Sequence, residues 1–318
     1  EPEMVNPRSE LYEQHPDWII KLKNRDENLS RNQLVLDMTN PEVQKFVYDV
    51  VDEMLMEHPE IAFIKWDCNR EMTNEYSPYL GDKQSHIYIE YVKGFYKVME
   101  GLRKKYPDLP IMLCSGGGGR TDYGALKYFT EFWPSDNTNP YDRIYIQWAY
   151  SYFFPAVVLC NHITSMGNQS LKFKTDVAMM GKMGYDIRVE EFTEDELVFS
   201  QQALKDYARL KDVILHGDMY RLVSPYEEER ASLMYVNDTK DKAIVYCYNI
   251  FPYRAEMTNP VKLQGLDPDK KYSIKEINIQ SRGGRMGRGM SGVFSGDYLM
   301  KVGLNFRNNR ELQSNVVE

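Results

Sequence analysis

The stretch FIKWDCNR (residues 63–70) passes from apolar into polar side chains where a buried strand would end. Lys65 and Asp67 are two positions apart, and residues two apart on a strand share one face, so their side chains are predicted to be neighbours. Trp66 is expected to point to the opposite face. Opposite charges at the end of a buried strand are costly unless they are paired or used. The stretch therefore indicates either an ion pair that closes the strand or a functional site.

Apolar strands and amphipathic helices alternate on both sides of this stretch, up to about residue 165. Five parallel strands are predicted, at residues 32–39, 61–67, 111–115, 130–137 and 156–164. Helices are predicted between them, at residues 40–58, 84–105, 122–129 and 140–152. Near-continuously apolar strands that alternate with helices form parallel sheets covered on both faces, so the pattern predicts an α/β fold.

Polar residues close each predicted strand. They are Asp37, Lys65 with Asp67, Cys114 with Ser115, Ser135 with Asp136, and Asn161 with His162. Parallel α/β sheets and (β/α)8 barrels carry their active sites at the carboxyl ends of their strands. The sequence therefore predicts a functional site at this edge.

The pattern changes near residue 219. An amphipathic helix is predicted at 193–216, with Thr193 and Glu196 forming a capping box. Short alternating strands broken by turns are predicted after it, at residues 231–238, 242–250, 271–278 and 297–306. We therefore predict two domains, an α/β domain over 1–218 and a small antiparallel β-domain over 219–318.

Composition excludes several classes of partner. The formal net charge is −8 and no run of Lys and Arg is present, which argues against nucleic acid and anionic membranes. No apolar stretch reaches the length of a membrane span.

The glycine run CSGGGGR (114–120) lacks the spacing of a nucleotide-binding loop, and we expect it to bring backbone close to a ligand. The four cysteines lack metal-type spacing, which predicts reduced thiols and a cytoplasmic location. No cofactor is expected.

Asp136 is the second carboxylate of interest. It follows Phe132, Trp133 and Pro134, an apolar setting that favours a protonated carboxyl, although a turn or helix cap before Pro140 is the alternative. The charge of Lys65 would instead favour the ionised form of Asp67, as a carboxylate nucleophile requires.

Two kinds of chemistry fit such a pair of carboxylates. Glycoside hydrolysis uses one ionised and one protonated carboxyl group. A divalent-metal hydrolase would instead use Asp37, Asp67 and Asp136 as oxygen ligands. Spacing and composition do not separate these two hypotheses.

Ordered motifs along the whole chain resemble the α-galactosidases of glycoside hydrolase family 36. They are EPEMVNPRSELYEQHPDW, RNQLVLDMTNPEV, FIKWDCNR, CSGGGGRTDYGAL, FWPSDNTNPYDR and DVAMMGKMGYDI. The resemblance implies part of a (β/α)8 TIM-type barrel followed by an antiparallel β-sandwich. It also implies a retaining mechanism in which Asp67 is the nucleophile and Asp136 the acid/base.

The resemblance implies a galactose pocket as well. Lys65 would hydrogen-bond sugar hydroxyls, Cys114 and Gly117 would line the pocket, and Arg31 and Asn69 would add substrate contacts. The implied substrates are oligosaccharides with a terminal α-linked galactose, such as melibiose and raffinose. Galactosyl transfer of the raffinose-synthase type and a catalytically incompetent sugar-binding fragment are the alternatives.

Two features depart from the family pattern. The motif is usually SDNTD in the family, whereas it is SDNTN here, with Asn139 as its last residue. In the family, EPEM closes the third barrel strand, so the resemblance implies that this chain carries the third to eighth strands only. An incomplete barrel would expose its edges, so we expect a homo-oligomer, and we expect the chain alone to hydrolyse α-galactosides poorly.

Overall fold

The chain forms two structural units in the computed structural model, Glu1–Asp136 and Asn137–Glu318. The structure describes residues 1–251, 259–279, 281–282, 285–286, 289–306 and 311–318. Among the helices of these ranges, none combines the length and the apolar character needed to cross a bilayer.

The first unit is built around a parallel sheet. Its strands are β1 (Met4–Val5), β2 (Leu34–Val35), β3 (Ile64–Trp66), β4 (Ile111–Leu113) and β5 (Glu131–Phe132), and its helices are α1 (Glu10–Gln14), α2 (Pro41–Glu57) and α3 (Ile87–Lys105). Strands β3, β4 and β5 pair in parallel in chain order. The predicted short helix at 122–129 is a single 3₁₀ turn, Ala125–Lys127.

Strand β2 differs from the prediction in both length and direction. It pairs antiparallel with β1, Val5 lying opposite Leu34, and Leu36 bridges Ile19 in the same sense. The expectation that all five strands are parallel is therefore wrong for this one. An apolar run records that a strand is buried and does not record which neighbour it pairs with.

The second unit combines a parallel strand pair with an antiparallel sheet. Its helices are α4 (Pro140–Tyr150), α5 (Leu171–Ala178), α6 (Glu194–His216) and α7 (Gly296–Lys301). Its strands are β6 (Cys160–Thr164), β7 (Lys182–Asp186), β8 (Asp218–Val223), β9 (Arg230–Val236), β10 (Ala243–Asn249), β11 (Lys271–Ile277), β12 (Ser281–Arg282), β13 (Arg285–Met286), β14 (Ser291–Ser295) and β15 (Gln313–Val317). Strands β6 and β7 are parallel, and six others form one sheet in the order β14-β11-β15-β10-β9-β8. Strand β7 was not among the predicted strands.

Two long helices begin where the sequence predicts. Asn40 caps α2 by accepting a hydrogen bond from the Glu42 amide, and proline occupies the first helical position. Thr193 and Glu196 form the predicted capping box of α6. These starts are local in sequence, which is why reading the residues alone finds them.

The strand predicted at 297–306 is wrong, because its first half is helix α7. Ser295 caps this helix by accepting from the Tyr298 amide, and Asp297 pairs with Lys301 one turn later. The alternating apolar residues resembled a strand, but a serine cap and an acidic first turn favour a helix. Leu304 then forms an isolated bridge with Val261.

The buried carboxylate of Asp176 ties α5 to the antiparallel sheet. It accepts hydrogen bonds from Asn278 Nδ2 at 2.7 Å and Ser314 Oγ at 2.6 Å, and Lys172 Nζ lies 2.5 Å from it. The side chain of Asp176 is fully buried. The Tyr248 hydroxyl also donates to the backbone carbonyl of Asp176, at 2.8 Å. This contact therefore joins the helical and antiparallel parts of the second unit.

Asp176→Asn is expected to lower the free energy of unfolding by about 2 to 4 kcal/mol, because it leaves the Lys172 charge without its buried partner. Urea unfolding followed by circular dichroism measures this loss. The double variant with Lys172→Met should recover part of it, since the uncompensated charge is then gone. Strictly additive losses would contradict a coupled pair.

Candidate active site

Three candidate residues follow the ends of neighbouring parallel strands. Asp67 follows β3, Cys114 follows β4, and Asp136 lies beyond β5. The backbone ladder continues past the strand ends, because the Cys114 amide donates to the Trp66 carbonyl at 2.8 Å and the Cys68 amide to the Cys114 carbonyl at 3.2 Å. The first unit therefore holds these three positions at one edge of its parallel sheet.

Lys65 and Asp67 form a wide, partly exposed pair. Lys65 Nζ lies 4.0 Å from Asp67 Oδ2, and the two side chains are 44% and 23% exposed. Asp67 Oδ1 accepts a hydrogen bond from the Cys68 amide at 2.9 Å. An ion pair this exposed adds only about 0 to 1 kcal/mol of stability. The pair therefore contributes little to the stability of the fold.

Trp133 connects this pair to the second carboxylate. Lys65 Nζ lies 5.4 Å from the centroid of the Trp133 ring, and Trp133 Nε1 donates to Asp136 Oδ1 at 2.9 Å. Trp133 itself is buried, whereas Asp136 is exposed, so the apolar setting expected for Asp136 holds only for the residues before it. The helix-cap alternative does not describe Asp136, because Asn139 caps α4.

Cys114 is a fully buried residue between the end of β4 and the glycine run. The pKa of its thiol is raised to about 11, chiefly by burial. The Gly117 amide and the Lys65 charge lower this pKa, and Asp67 raises it, but burial outweighs them. The thiol is therefore protonated at neutral pH and its hydrogen is available to the Asp67 carboxylate.

Gly117 packs directly against the backbone that carries Asp136. A Cβ at this position would lie 2.8 Å from Ser135 Cα and 3.1 Å from the Asp136 nitrogen, and the glycine has a φ of +91°. Both the close approach and the left-handed conformation require glycine here. The glycine run thus brings backbone against the segment that carries the second carboxylate.

Gly117→Ala is expected to displace the Asp136 backbone and to lower kcat/KM roughly tenfold or more. Gly81→Ala is the matched control, because Gly81 has a φ of +55° but no atom lies within 4 Å of its would-be Cβ. The control should carry the left-handed strain alone, about 1 to 2 kcal/mol. Equal losses of stability and activity in the two variants would contradict the packing argument.

Asn69 is hydrogen-bonded to Glu1, and the charge of Arg31 acts on the same carboxyl group. Asn69 Nδ2 donates to Glu1 Oε1 at 2.5 Å, and Asn69 Oδ1 accepts from the Gly116 amide at 2.7 Å. Burial raises the pKa of the Glu1 carboxyl, but hydrogen bonds from Gln33 and Asn69 and the charge of Arg31 outweigh it and hold this pKa below its usual value. Arg31 itself is exposed and has a φ of 55° in a two-residue turn.

Asp37, the third carboxylate of the metal hypothesis, has other partners. Its Oδ1 accepts from the Thr39 amide at 3.0 Å and the Thr39 hydroxyl at 2.6 Å, and its Oδ2 accepts from Ser77 Oγ at 2.5 Å. Across the described ranges, no three His, Cys, Asp or Glu side chains are grouped as a metal site. The oxygens of Asp37 are therefore already bonded to Thr39 and Ser77.

Sequence reasoning missed two charged residues behind this edge, Glu3 and Arg120. Glu3 is fully buried, and Arg120 Nη1 lies 2.9 Å from its Oε1. A usable signal existed, because each charge adjoins a buried strand or a glycine run. Glu3 and Arg120 are 117 positions apart in the chain, and nothing in the sequence near either residue indicates that they meet.

The chain matches two family models. Residues 1–217 match the family described as Melibiase, and residues 230–318 match the glycosyl hydrolase family 36 C-terminal domain. The alpha-galactosidase AgaA of Geobacillus stearothermophilus is 34% identical over 96% of this chain and 41% of its own length. Alpha-galactosidase 1 of Pediococcus pentosaceus is 33% identical over 95% of this chain and 40% of its own length. The chain thus spans about two fifths of the curated relatives that it matches.

Solved structures agree with these matches. The crystal structure of the family 36 alpha-galactosidase AgaB from Geobacillus stearothermophilus superposes with a TM-score of 0.91 at 32% identity, over 100% of this chain and 43% of that one. A variant of AgaA in complex with stachyose gives a TM-score of 0.92 at 32% identity, over 100% and 43% of the two chains. The predicted fold class, part of a TIM-type barrel followed by an antiparallel β-domain, is thereby confirmed. The chain belongs to the melibiase family, the α-galactosidases of glycoside hydrolase family 36.

Proposed function

We propose that this chain carries the catalytic carboxylates of a retaining α-galactosidase. The observation that carries the proposal is the continuous set of contacts from Lys65 to Asp136. Lys65 lies beside Asp67 and over the ring of Trp133, and Trp133 holds one oxygen of Asp136. Two carboxylates at the carboxyl edge of a parallel sheet fit glycosidic bond cleavage.

The two carboxylates have different roles in the proposed reaction. Asp67 attacks the anomeric carbon while Asp136 gives its proton to the leaving glycosidic oxygen, so that one carbon–oxygen bond forms as another breaks. Asp136 then removes a proton from water, which attacks the glycosyl ester and releases Asp67. We expect carboxyl groups about 5 to 5.5 Å apart, as in retaining enzymes.

The remaining candidates are assigned to sugar binding. Lys65 would donate to ring hydroxyls, and the protonated Cys114 thiol and the Gly117 backbone would line the pocket. Asn69 and Arg31 would contact the substrate farther out. Structures of AgaA variants from Geobacillus stearothermophilus hold raffinose and stachyose, which supports oligosaccharides with a terminal α-linked galactose as substrates.

Product analysis tests the proposal. The chain is assayed alone and after fusion to the N-terminal portion of the Geobacillus AgaA relative, with 4-nitrophenyl α-galactoside as substrate. Proton NMR should detect the α-anomer of galactose first, before mutarotation, because two displacements retain configuration. First formation of the β-anomer would contradict the mechanism. A dominant trisaccharide product in the presence of sucrose would indicate galactosyl transfer, and binding without turnover in both forms would indicate a sugar-binding protein.

Three further proposals concern organisation. The division into 1–218 and 219–318 is supported by the ranges of the two family matches. Self-association is supported by exposed apolar side chains on α3, among them Tyr88 at 56% and Ile89 at 60%, and sedimentation velocity tests it. A cytoplasmic location is supported by the four cysteines, all buried and free.

A further inference from the structure

Glu3 joins three other parts of the first unit behind the strand that carries Asp67. Its carboxylate is fully buried and accepts hydrogen bonds from three side chains. Trp66 Nε1 donates to Oε1 at 2.8 Å, and the Tyr91 hydroxyl donates to Oε2 at 2.7 Å. Arg120 Nη1 lies 2.9 Å from Oε1 and 3.1 Å from Oε2. These donors come from β3, from α3 and from the segment after the glycine run.

The charge of Glu3 is balanced inside this group. The Arg120 guanidinium supplies the opposite charge and stacks over the Phe95 ring at 4.6 Å. Burial, and after it the charge of Glu3, raises the pKa of Tyr91 well above its usual value, so its hydroxyl remains a donor. A buried carboxylate with a charged partner and further donors is fixed in position, because any rotation breaks several hydrogen bonds at once.

Trp66 carries this constraint to the nucleophile. It lies between Lys65 and Asp67 in the chain, and its indole points to the opposite face, where it is 2% exposed. The Trp66 carbonyl also accepts from the Cys114 amide at 2.8 Å. With both the indole and the carbonyl held, the strand is not free to turn about its axis, and the direction of the Asp67 side chain is set.

Arg120 carries the same constraint to the glycine loop. The near end of that loop is fixed to the chain after β3, because Ser115 Oγ donates to the Cys68 carbonyl at 2.6 Å and the Gly116 amide donates to Asn69 at 2.7 Å. Arg120 fixes the far end to Glu3. Between these two ends lies Gly117, which approaches the backbone of Ser135 and Asp136 so closely that a Cβ there would meet it.

We infer that Glu3 is a positioning residue that holds Asp67, through Trp66, and the Asp136 segment, through Arg120 and Gly117, in one fixed arrangement. It touches no substrate and acts only through its neighbours. The inference rests on the proposed α-galactosidase function and assigns a buried carboxylate to the alignment of both catalytic groups.

Glu3→Gln tests this inference, because glutamine keeps the shape but turns an amide N–H toward the donors. In the fusion to the N-terminal portion of AgaA, assayed with 4-nitrophenyl α-galactoside, we expect kcat to fall roughly 10- to 100-fold. KM should change less than about twofold, because misplaced catalytic groups slow the reaction more than they weaken binding. Tyr91→Phe removes one donor and should lower kcat less. Asp176→Asn is the matched control, since it also alters a buried, multiply bonded carboxylate and should lower stability with kcat unchanged below its melting temperature.

A readout without activity separates this inference from the proposed function. In Glu3→Gln, amide hydrogen exchange should accelerate in peptides covering residues 64–69 and 114–120 but not in α2. The indole resonance of Trp66, one of four tryptophans and assigned with Trp66→Phe, should shift. If neither the wild-type chain nor its fusion to the N-terminal portion of AgaA hydrolyses a galactoside, the proposed function is refuted, and the exchange and resonance data then decide this inference alone. The inference would be overturned if Glu3→Gln left both kcat and the local amide exchange unchanged. If Glu3→Gln does not fold, unchanged amide exchange in Tyr91→Phe would overturn it.

Discussion

Asp67→Asn is expected to lower kcat by roughly three to five orders of magnitude, the scale on which enzymes lose activity with a covalent nucleophile. The amide keeps the size of the side chain and its oxygen can still accept from the Cys68 amide, which lies 2.9 Å from Oδ1. What disappears is the negative oxygen that forms the bond to the anomeric carbon. Asp52→Asn is the control and should retain activity, because it alters a carboxylate of α2 that pairs with Lys105 of α3.

Asp67→Gly should regain activity when sodium azide is added. The small side chain leaves a space beside the anomeric carbon, and azide can attack there in place of the carboxylate while Asp136 still protonates the leaving group. A single displacement inverts configuration, so the product should be β-galactosyl azide. If neither variant loses activity, Asp67 returns to a structural role in its pair with Lys65.

The sequence was a good guide where function depends on residues close together in the chain. Lys65 and Asp67 are two positions apart on one strand, and their predicted contact is found at 4.0 Å. The starts of α2 and α6 are equally local, because a cap and the amide that it accepts from lie within three residues. Short-range geometry of this kind follows from backbone periodicity alone.

The parts that could not be predicted depend on long-range pairing. Glu3 meets Trp66 across 63 residues and Arg120 across 117 residues. Strand β2 is an apolar run whose antiparallel partner is β1, which a single sequence does not reveal. A buried charge next to a strand signals that a partner exists, because an unpaired one would be too costly. It does not say which residue the partner is.

Asp136→Ala should affect substrates according to their leaving groups. Melibiose has a poor leaving group that needs a proton, so its kcat/KM is expected to fall roughly 10²- to 10⁴-fold. The dinitrophenolate of a dinitrophenyl α-galactoside leaves without protonation, so the kcat/KM for this substrate should fall far less. Trp133→Phe is the comparison variant, because it keeps the Asp136 carboxyl but removes the Nε1 donor that lies 2.9 Å from Oδ1 and shortens the ring that faces Lys65. It should lower kcat/KM for both substrates by similar, smaller factors.

Azide then distinguishes the roles of the two carboxylates within one experiment. In Asp136→Ala the nucleophile Asp67 is intact, so an aryl galactoside still forms the glycosyl ester, which lacks a base to activate water. Azide needs no base and should attack that ester, which is a second displacement and gives α-galactosyl azide. Asp67→Gly should give the β-anomer from the same reagents. The same anomer from both variants would show that the two carboxylates do not act in sequence on opposite faces of the sugar, and the assignment of nucleophile and acid/base would be wrong.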